Sequence, residues 1–245
     1  MSDLVIEFLG HASFLFTHPR VGAVFLDPWL SGNPSCKLAL ENVREADIVA
    51  VTHGHRDHLG DAIPICLRTG ALLVASADLC AYADKSGVRY GQQSQPLNIG
   101  GTFRRGQLKV TMVQAMHVAS IQGRAYQVDR TVEAGGGATG FIFDFASEFV
   151  VYATGDTGVF SDMKLFAELY QPDLVILPIG GQYTMGPREA AKALELMQPR
   201  FAIPCHYHTW PEPRIDLDEF REYSKRQAPA TQVVWLQPGE RWQSP

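Results

Sequence analysis

The segment VTHGHRDHLGD, residues 51–61, places His53, His55, Asp57 and His58 within six positions of a 245-residue chain that has eight histidines. Neutral imidazole is the commonest protein ligand for Zn²⁺, and a carboxylate adds a harder oxygen donor. In extended backbone, alternate side chains share a side, which would bring His53 and His55 together. A turn after them would swing Asp57 and His58 toward a second ion nearby. A solvated polar turn would have the same composition, so the segment needs support from elsewhere. His117 follows the apolar run QLKVTMVQAM, Asp156 follows FVVYATG, and His206 follows FAIPC. Each closes a strand-like segment, which is where α/β architectures collect their sites.

The elements that must hold these residues follow from hydropathy patterning. Residues 4–10, 12–18 and 22–28 are apolar runs of strand length separated by turn residues. Residues 46–52, ADIVAVT, have the apolar, β-branched character of a buried strand and lead directly into the histidine turn. A helix is expected over 61–70, a strand over 71–76 and a helix over 77–87, with Gly87 as its C-cap. After a polar stretch at 91–96, strands are expected near 101–104 and 107–113, and a hairpin over 140–145 and 148–153. Then come a helix at 162–170, a strand at 173–180, a helix at 186–198 with Pro187 in its first turn, a strand at 200–206, a helix at 217–227 and a last strand at 232–239. Strands lead each half and strand–helix alternation follows. Two such halves give an α/β, four-layer αββα sandwich. No segment reads as an interdomain linker, so residues 1–245 form a single domain in this reading, and 132–140 is a loop tip.

Composition narrows the class. Hydrophobic residues make up 46% and charged residues 19%, a globular balance, and the net charge of -5 speaks against a nucleic-acid partner. No apolar run is long enough to span a membrane, and the N-terminus lacks a basic leader. Cys36, Cys66, Cys80 and Cys205 are scattered, with no CxxC pair, which reads as free thiols in a cytoplasmic protein. Cys205 adjoins His206, but neighbours in a strand face opposite ways, so it reads as core. Nothing in the sequence specifies an oligomeric state.

The motif His-x-His-x-Asp-His after a strand, then a lone histidine, TGDT at 154–157 and PCH at 204–206, resembles the metallo-β-lactamase superfamily. More narrowly, FLGHASF, LDPWLSGNP, PIGGQYTMGPREA and PCHYHTW resemble its branch of metal-dependent hydrolases, with ascorbate-6-phosphate lactonase and N-acyl-phosphatidylethanolamine phospholipase D as distant relatives. The resemblance implies that His53, His55 and His117 hold one metal, that Asp57, His58 and His206 hold a second, and that Asp156 bridges them. On their own chemistry, five imidazoles and two carboxylates suit Zn²⁺, with Mn²⁺ or Fe²⁺ as alternatives. Two ions about 3.5–4 Å apart would share a water and lower its pKa toward about 7, giving a hydroxide that attacks a carbonyl or phosphoryl centre. Asp57 would orient that nucleophile and later pass on a proton. Some antibiotic-degrading relatives place cysteine at position 156; here it is aspartate, as in glyoxalase II-like, lactonase-like and phosphodiesterase-like members.

Other residues frame the site. His11, in LGHAS, is either a surface histidine or, as the branch resemblance implies, a substrate contact or proton donor near the metals. His208, two after His206, can share its side and contact substrate, or be solvated. Asp27 reads as a turn residue or as an acceptor fixing the tautomer of a ligand histidine. Trp29, Tyr183 and Trp210 either line the substrate cleft or pack its rim. Ser120 is a site contact or a turn cap, and His18 a turn residue. The long loop 118–138 carries Arg124 and Arg130, which are solvated or meet an anionic substrate. The function expected is that of a dinuclear metal-dependent hydrolase acting on a small ester, lactone or phosphodiester. The alternative is a non-catalytic metal sensor on the same scaffold, against which stands the retention of every ligand position.

Overall fold

A computed structural model of the chain describes residues 3–210 and 214–245, except for the side chains of Arg124 and Ala125. The chain starts with an antiparallel meander: β1 (Val5–Gly10), β2 (Ser13–His18) and β3 (Gly22–Leu26). It continues through parallel strands β4 (Ile48–Ala50), β5 (Leu72–Ser76) and β6 (Ser94–Leu97), connected by α1 (Arg56–Leu59), α2 (Ala62–Thr69) and α3 (Ala77–Asp84). The second half repeats the plan. Antiparallel β7 (Thr102–Arg105), β8 (Leu108–Gln114), β11 (Thr139–Phe145) and β12 (Phe149–Ala153) come first. Parallel β13 (Leu174–Pro178), β14 (Phe201–Cys205) and β15 (Gln232–Val233) follow, with α5 (Met163–Tyr170), α6 (Pro187–Met197) and α7 (Leu217–Gln227). Between β8 and β11 lie a two-stranded ribbon of β9 (Ser120–Ile121) and β10 (Glu133–Ala134), and the helix α4 (Arg124–Asp129). A final strand, β16 (Arg241–Gln243), returns to pair with β1.

The result is two seven-stranded sheets, ordered β16-β1-β2-β3-β4-β5-β6 and β15-β14-β13-β12-β11-β8-β7, with helices on their outer faces. This is the αββα sandwich. Period-2 alternation builds its three apolar layers. Phe14 and Phe16 of β2 face Phe141, Phe143 and Phe145 of β11 in the central layer. The alternate positions point outward: Val49 and Leu73 pack beneath α2 and α3, and Tyr152, Val175 and Leu177 beneath α5 and α6. Central strands are buried on both faces, which is why β4 and β13 read as unbroken apolar runs.

Several expectations need correction. The polar stretch at 91–96 contains β6, a strand that pairs through backbone groups and buries little but Ser94 and Leu97. Gly87 does not cap α3; the helix ends at Asp84 with Lys85 as C-cap, and Gly87 closes a later turn. The segment 118–138 is not a plain loop, since it carries β9, α4 and β10, and Glu133 of the expected loop tip pairs with Ile121. Ser120 accordingly sits in the ribbon opposite Ala134. The strand expected over 232–239 spans only Gln232–Val233, and β16 closes the first sheet instead. His18 is the last residue of β2 and is buried, not a turn residue. The four cysteines are free thiols, and Cys205 faces the central core. Among the described residues, no helix is long and apolar enough to cross a membrane.

Candidate metal centre

Strand ends from both sheets converge on one place. His11 follows β1, Asp27 follows β3, the histidine turn follows β4, Asp156 follows β12 and His206 follows β14. Three of these residues leave their strands with left-handed backbone: His11 at φ 59°, Asp27 at 46° and His206 at 57°. Such conformations cost about 1–3 kcal/mol each in non-glycine residues and concentrate at functional sites. Here each turns a side chain inward from the end of its strand. Two glycines make the convergence sterically possible. A Cβ at Gly155 (φ 63°) would lie 2.4 Å from the Thr139 carbonyl oxygen, and one at Gly180 would lie 2.0 Å from the His206 carbonyl oxygen.

The donor atoms form two groups, each within 4.8 Å: His53, His55, His117 and Asp156; and His11, Asp57, His58 and His206. In the first, Nε2 of His53 lies 3.0 Å and Nε2 of His117 3.4 Å from Nδ1 of His55. Asp156 joins the two groups. Its Oδ2 lies 3.2 Å from Nε2 of His58, 3.2 Å from Nε2 of His206, 3.8 Å from Nε2 of His117 and 4.0 Å from Nε2 of His53. Asp57 Oδ2 lies 3.8 Å from His206 Nε2 and 3.9 Å from His58 Nε2.

A buried hydrogen-bond network fixes which nitrogen His58, His53 and His11 present. Asp27 Oδ2 accepts from Nδ1 of His58 at 2.8 Å and from the Thr52 hydroxyl at 2.7 Å, while Oδ1 accepts from the Thr52 amide at 2.7 Å. The Thr52 hydroxyl proton is thereby committed, so Oγ1 accepts from Nδ1 of His53 at 3.0 Å. One carboxylate thus directs Nε2 of both His58 and His53 into the cluster. His11 is oriented likewise. Its Nε2–H donates to Asp57 Oδ2 at 3.0 Å, and its Nδ1 accepts from the Thr209 hydroxyl at 2.8 Å.

Protonation follows burial and neighbours. Burial, reinforced by the charge of His206, lowers His11 to about 4. Burial likewise holds His53, His55 and His117 below the usual histidine range. Burial pushes the Asp57 and Asp156 carboxyls up, but neighbouring imidazoles outweigh it and leave both well below the carboxylate range. His58 runs the other way: burial lowers it, yet Asp156 and Asp27 hold it well above 6.5. At neutral pH His11, His53, His55 and His117 are therefore neutral and Asp57 and Asp156 are carboxylates. His58 Nε2 is fully buried, has no hydrogen-bond partner among the described residues, and faces Asp156 Oδ2. The carboxylates that draw a proton to that nitrogen would equally draw a divalent cation, so the donor set fits metal ions.

The cluster opens into a cavity of about 470 Å³ whose lining includes His55, Asp57, His117, Tyr126, Tyr183 and Trp210. That volume suits a small molecule.

Comparison with known proteins agrees with this geometry. Residues 23–207 match the family described as beta-lactamase superfamily domain. A UPF0173 metal-dependent hydrolase of Methanopyrus kandleri is 44% identical over 238 residues, which is 97% of this chain and 99% of that protein. The chain belongs to the UPF0173 family of metal-dependent hydrolases. Among solved structures, Igni18, a metallo hydrolase from the archaeon Ignicoccus hospitalis, superposes with a TM-score of 0.82 at 32% identity, covering 100% of this chain and 99% of that one. The metallo-beta-lactamase fold protein YhfI of Bacillus subtilis shares the fold, with a TM-score of 0.71 at 14% identity and full coverage of both chains.

Within this UPF0173 hydrolase the peripheral residues sort by position. His11 is buried, with Trp29 edge-on at 5.3 Å and Trp210 at 4.7 Å, and the two indoles stack at 5.9 Å. Tyr183 stands exposed on the cavity rim. His208 is exposed, as the solvated one of its two readings has it. The chain has left β14 and both His206 and His208 have positive φ, so strand alternation no longer applies. His208 is exposed and tied through Nε2 to the Ile215 carbonyl at 2.9 Å, off the main cavity. Arg130 stacks over Tyr126 at 5.0 Å, and the Arg124 side chain lies outside the described residues. Sequence reasoning missed Thr52 and Thr209 as network members, because a lone threonine beside a histidine gives no periodic signal. It also passed over Arg56 and Gln122, the first appearing only as the spacer between His55 and Asp57.

Proposed function

We propose that the chain is a dinuclear metal-dependent hydrolase, with one catalytic domain over residues 1–245, that cleaves a small ester, lactone or phosphodiester. His53, His55 and His117 would hold one ion, Asp57, His58 and His206 the other, and Asp156 would bridge them; the imidazole-rich set favours zinc. The observation that carries the reading is Asp156 Oδ2, set 3.2–4.0 Å from four ring nitrogens drawn from both sheets. A bound pair of divalent ions supplies a nucleophile at neutral pH and stabilises charge developing on the attacked centre.

The chain's own residues do the remainder. Asp57, ionised and held by the Nε2–H of His11, stands at the cavity floor, where it orients the attacking water and takes up a proton. Neutral His11 cannot deliver a net charge there; it sets the direction of the Asp57 carboxylate and is itself anchored by Thr209. Trp210 and Tyr183 wall the cavity above and limit the solvent around the scissile bond. The net charge of -5 favours a small-molecule substrate over nucleic acid.

The test couples metal analysis to turnover. Purified protein should hold two ions per chain and hydrolyse members of a panel of lactones, carboxyl esters and phosphodiesters, with Asp57→Asn lowering turnover by about 10²–10⁴-fold. Two ions with no turnover on any of them would favour a sensor and overturn the enzymatic reading of the site.

A further inference from the structure

Beside the donor cluster lies a second cavity of about 620 Å³, whose wall is shared with the first through Arg56, Gln122 and Trp210. Its far side is mixed, with Ile63 and Pro64 from α2, and Tyr82 and Ser86 at and beyond the end of α3. Among the described residues, its lining holds two charged ones, Arg56 and Asp61. Asp61 is committed to structure, since its Oδ2 accepts the amides of Leu30 at 2.8 Å and Ser31 at 2.7 Å. Arg56 has no such commitment. It is exposed, and its guanidinium has no ion pair or hydrogen bond among the described residues. Its backbone is engaged, the amide with Gln122 Oε1 at 3.4 Å and the carbonyl with the Gly60 amide at 3.0 Å. In an acidic chain, a free arginine at the junction of two cavities is an unmatched positive charge beside the site.

We propose that this chamber is a substrate subsite for an oxyanion, a carboxylate or phosphate carried on an apolar or aromatic body, with Arg56 as its specificity residue. The assignment rests on the hydrolase reading for which bond is cut, and on the chamber alone for what is bound. The scissile group would lie over the donor cluster while the anionic part passes the Arg56 threshold. Guanidinium matches either oxyanion in a planar, two-point contact, and Trp29 and Trp210 give the body an aromatic wall. Tightness of the wall is set by Gly123, where a Cβ would lie 1.7 Å from the Tyr82 hydroxyl.

The test measures binding, so that it does not depend on turnover. Phenylphosphonate, benzoate and neutral benzamide are titrated into metal-loaded protein, with calorimetry and tryptophan fluorescence as readouts. The same titrations are run on Arg56→Gln and Ser86→Glu. Ser86 is exposed on the chamber wall, so its substitution changes the chamber's charge without burying a new group. Each variant should weaken the preferred anion about tenfold and leave benzamide unchanged; the larger loss identifies phosphonate or carboxylate as the natural head group. Anion affinity unchanged in both variants, an equal loss for benzamide, or no anion binding by the wild type would overturn the proposal. Arg56-dependent binding without hydrolysis of any ester would remove the hydrolase reading and leave the chamber standing.

Discussion

Asp27 receives the Nδ1 proton of His58 at 2.8 Å from outside the donor cluster, and so decides that Nε2 of His58 faces Asp156. The same carboxylate reaches His53 through Thr52. Asp27→Asn keeps the size and tolerates the left-handed backbone, but sets an NH₂ group where an acceptor is required. Metal affinity should fall about 10–100-fold. Competition against a fluorescent chelator measures it, and an unchanged affinity would show that Asp27 does not tune the ligands.

His55→Ala and Asp156→Ala should both abolish activity, with different metal content. His55 belongs to one donor group, so its loss should leave about one ion per chain. Asp156 contacts both groups, so its loss should release both ions. Elemental analysis of the purified variants decides, and full metal content with full rate in either would make the ligand assignment wrong.

Asp57→Asn should lower turnover by about 10²–10⁴-fold with the fold intact by circular dichroism. His11→Gln should cost less, because it removes a positioning contact and leaves the carboxylate in place. Its signature is the pH profile. Without the His11 donor Asp57 becomes easier to protonate, so the acidic limb should move to higher pH. An acidic limb that stays where it is would separate His11 from Asp57 function.

Chelated protein should lose stability as pH falls from about 6.5 toward 4. His11 is lowered to about 4 by burial, and His53, His55 and His117 are lowered by the same cause. Between the unfolded and folded values the unfolded chain binds more protons, so acid favours unfolding, and the stability returns above the unfolded value. His58, raised in the fold, opposes this trend. Denaturant midpoints across that range test the balance; a flat profile would mean that the raised and lowered groups cancel.

Removing metal should lower the thermal midpoint, because each donor group joins residues of the first half to residues of the second. Each ion present at 100 times its dissociation constant contributes about 2.7 kcal/mol. Differential scanning calorimetry with and without chelator, in the wild type and in Asp156→Ala, gives the comparison, and the variant should show almost no response to chelator.

The donor set was legible because its members end apolar strands, and strand ends are visible as hydropathy breaks. The two halves were legible for the same reason: β4 and β13 are buried on both faces and read as continuous runs. What failed to show was polar or long-range. The strand β6 is SQPL and pairs by backbone alone. The strand β16 alternates exposed Arg241 and Gln243 around half-buried Trp242, and its partner β1 lies at the other end of the chain. Which of its two readings His208 follows was not legible, because the period of two ends with β14 and the chain turns beyond it. Asp27 was readable as an acceptor for some histidine, but that it serves two, one through a threonine, depends on packing between β3 and the turn after β4.

The pairing of Val5 with Gln243 and of Glu7 with Arg241 bears on how the protein is made. On the ribosome the first meander emerges early, yet β1 has no outer neighbour until the last strand is synthesised. During that interval β1 is a bare sheet edge, open to pairing with other nascent chains. Aggregation during expression should therefore respond to changes around residues 241–243, far from the chemistry, in the strand that covers this edge.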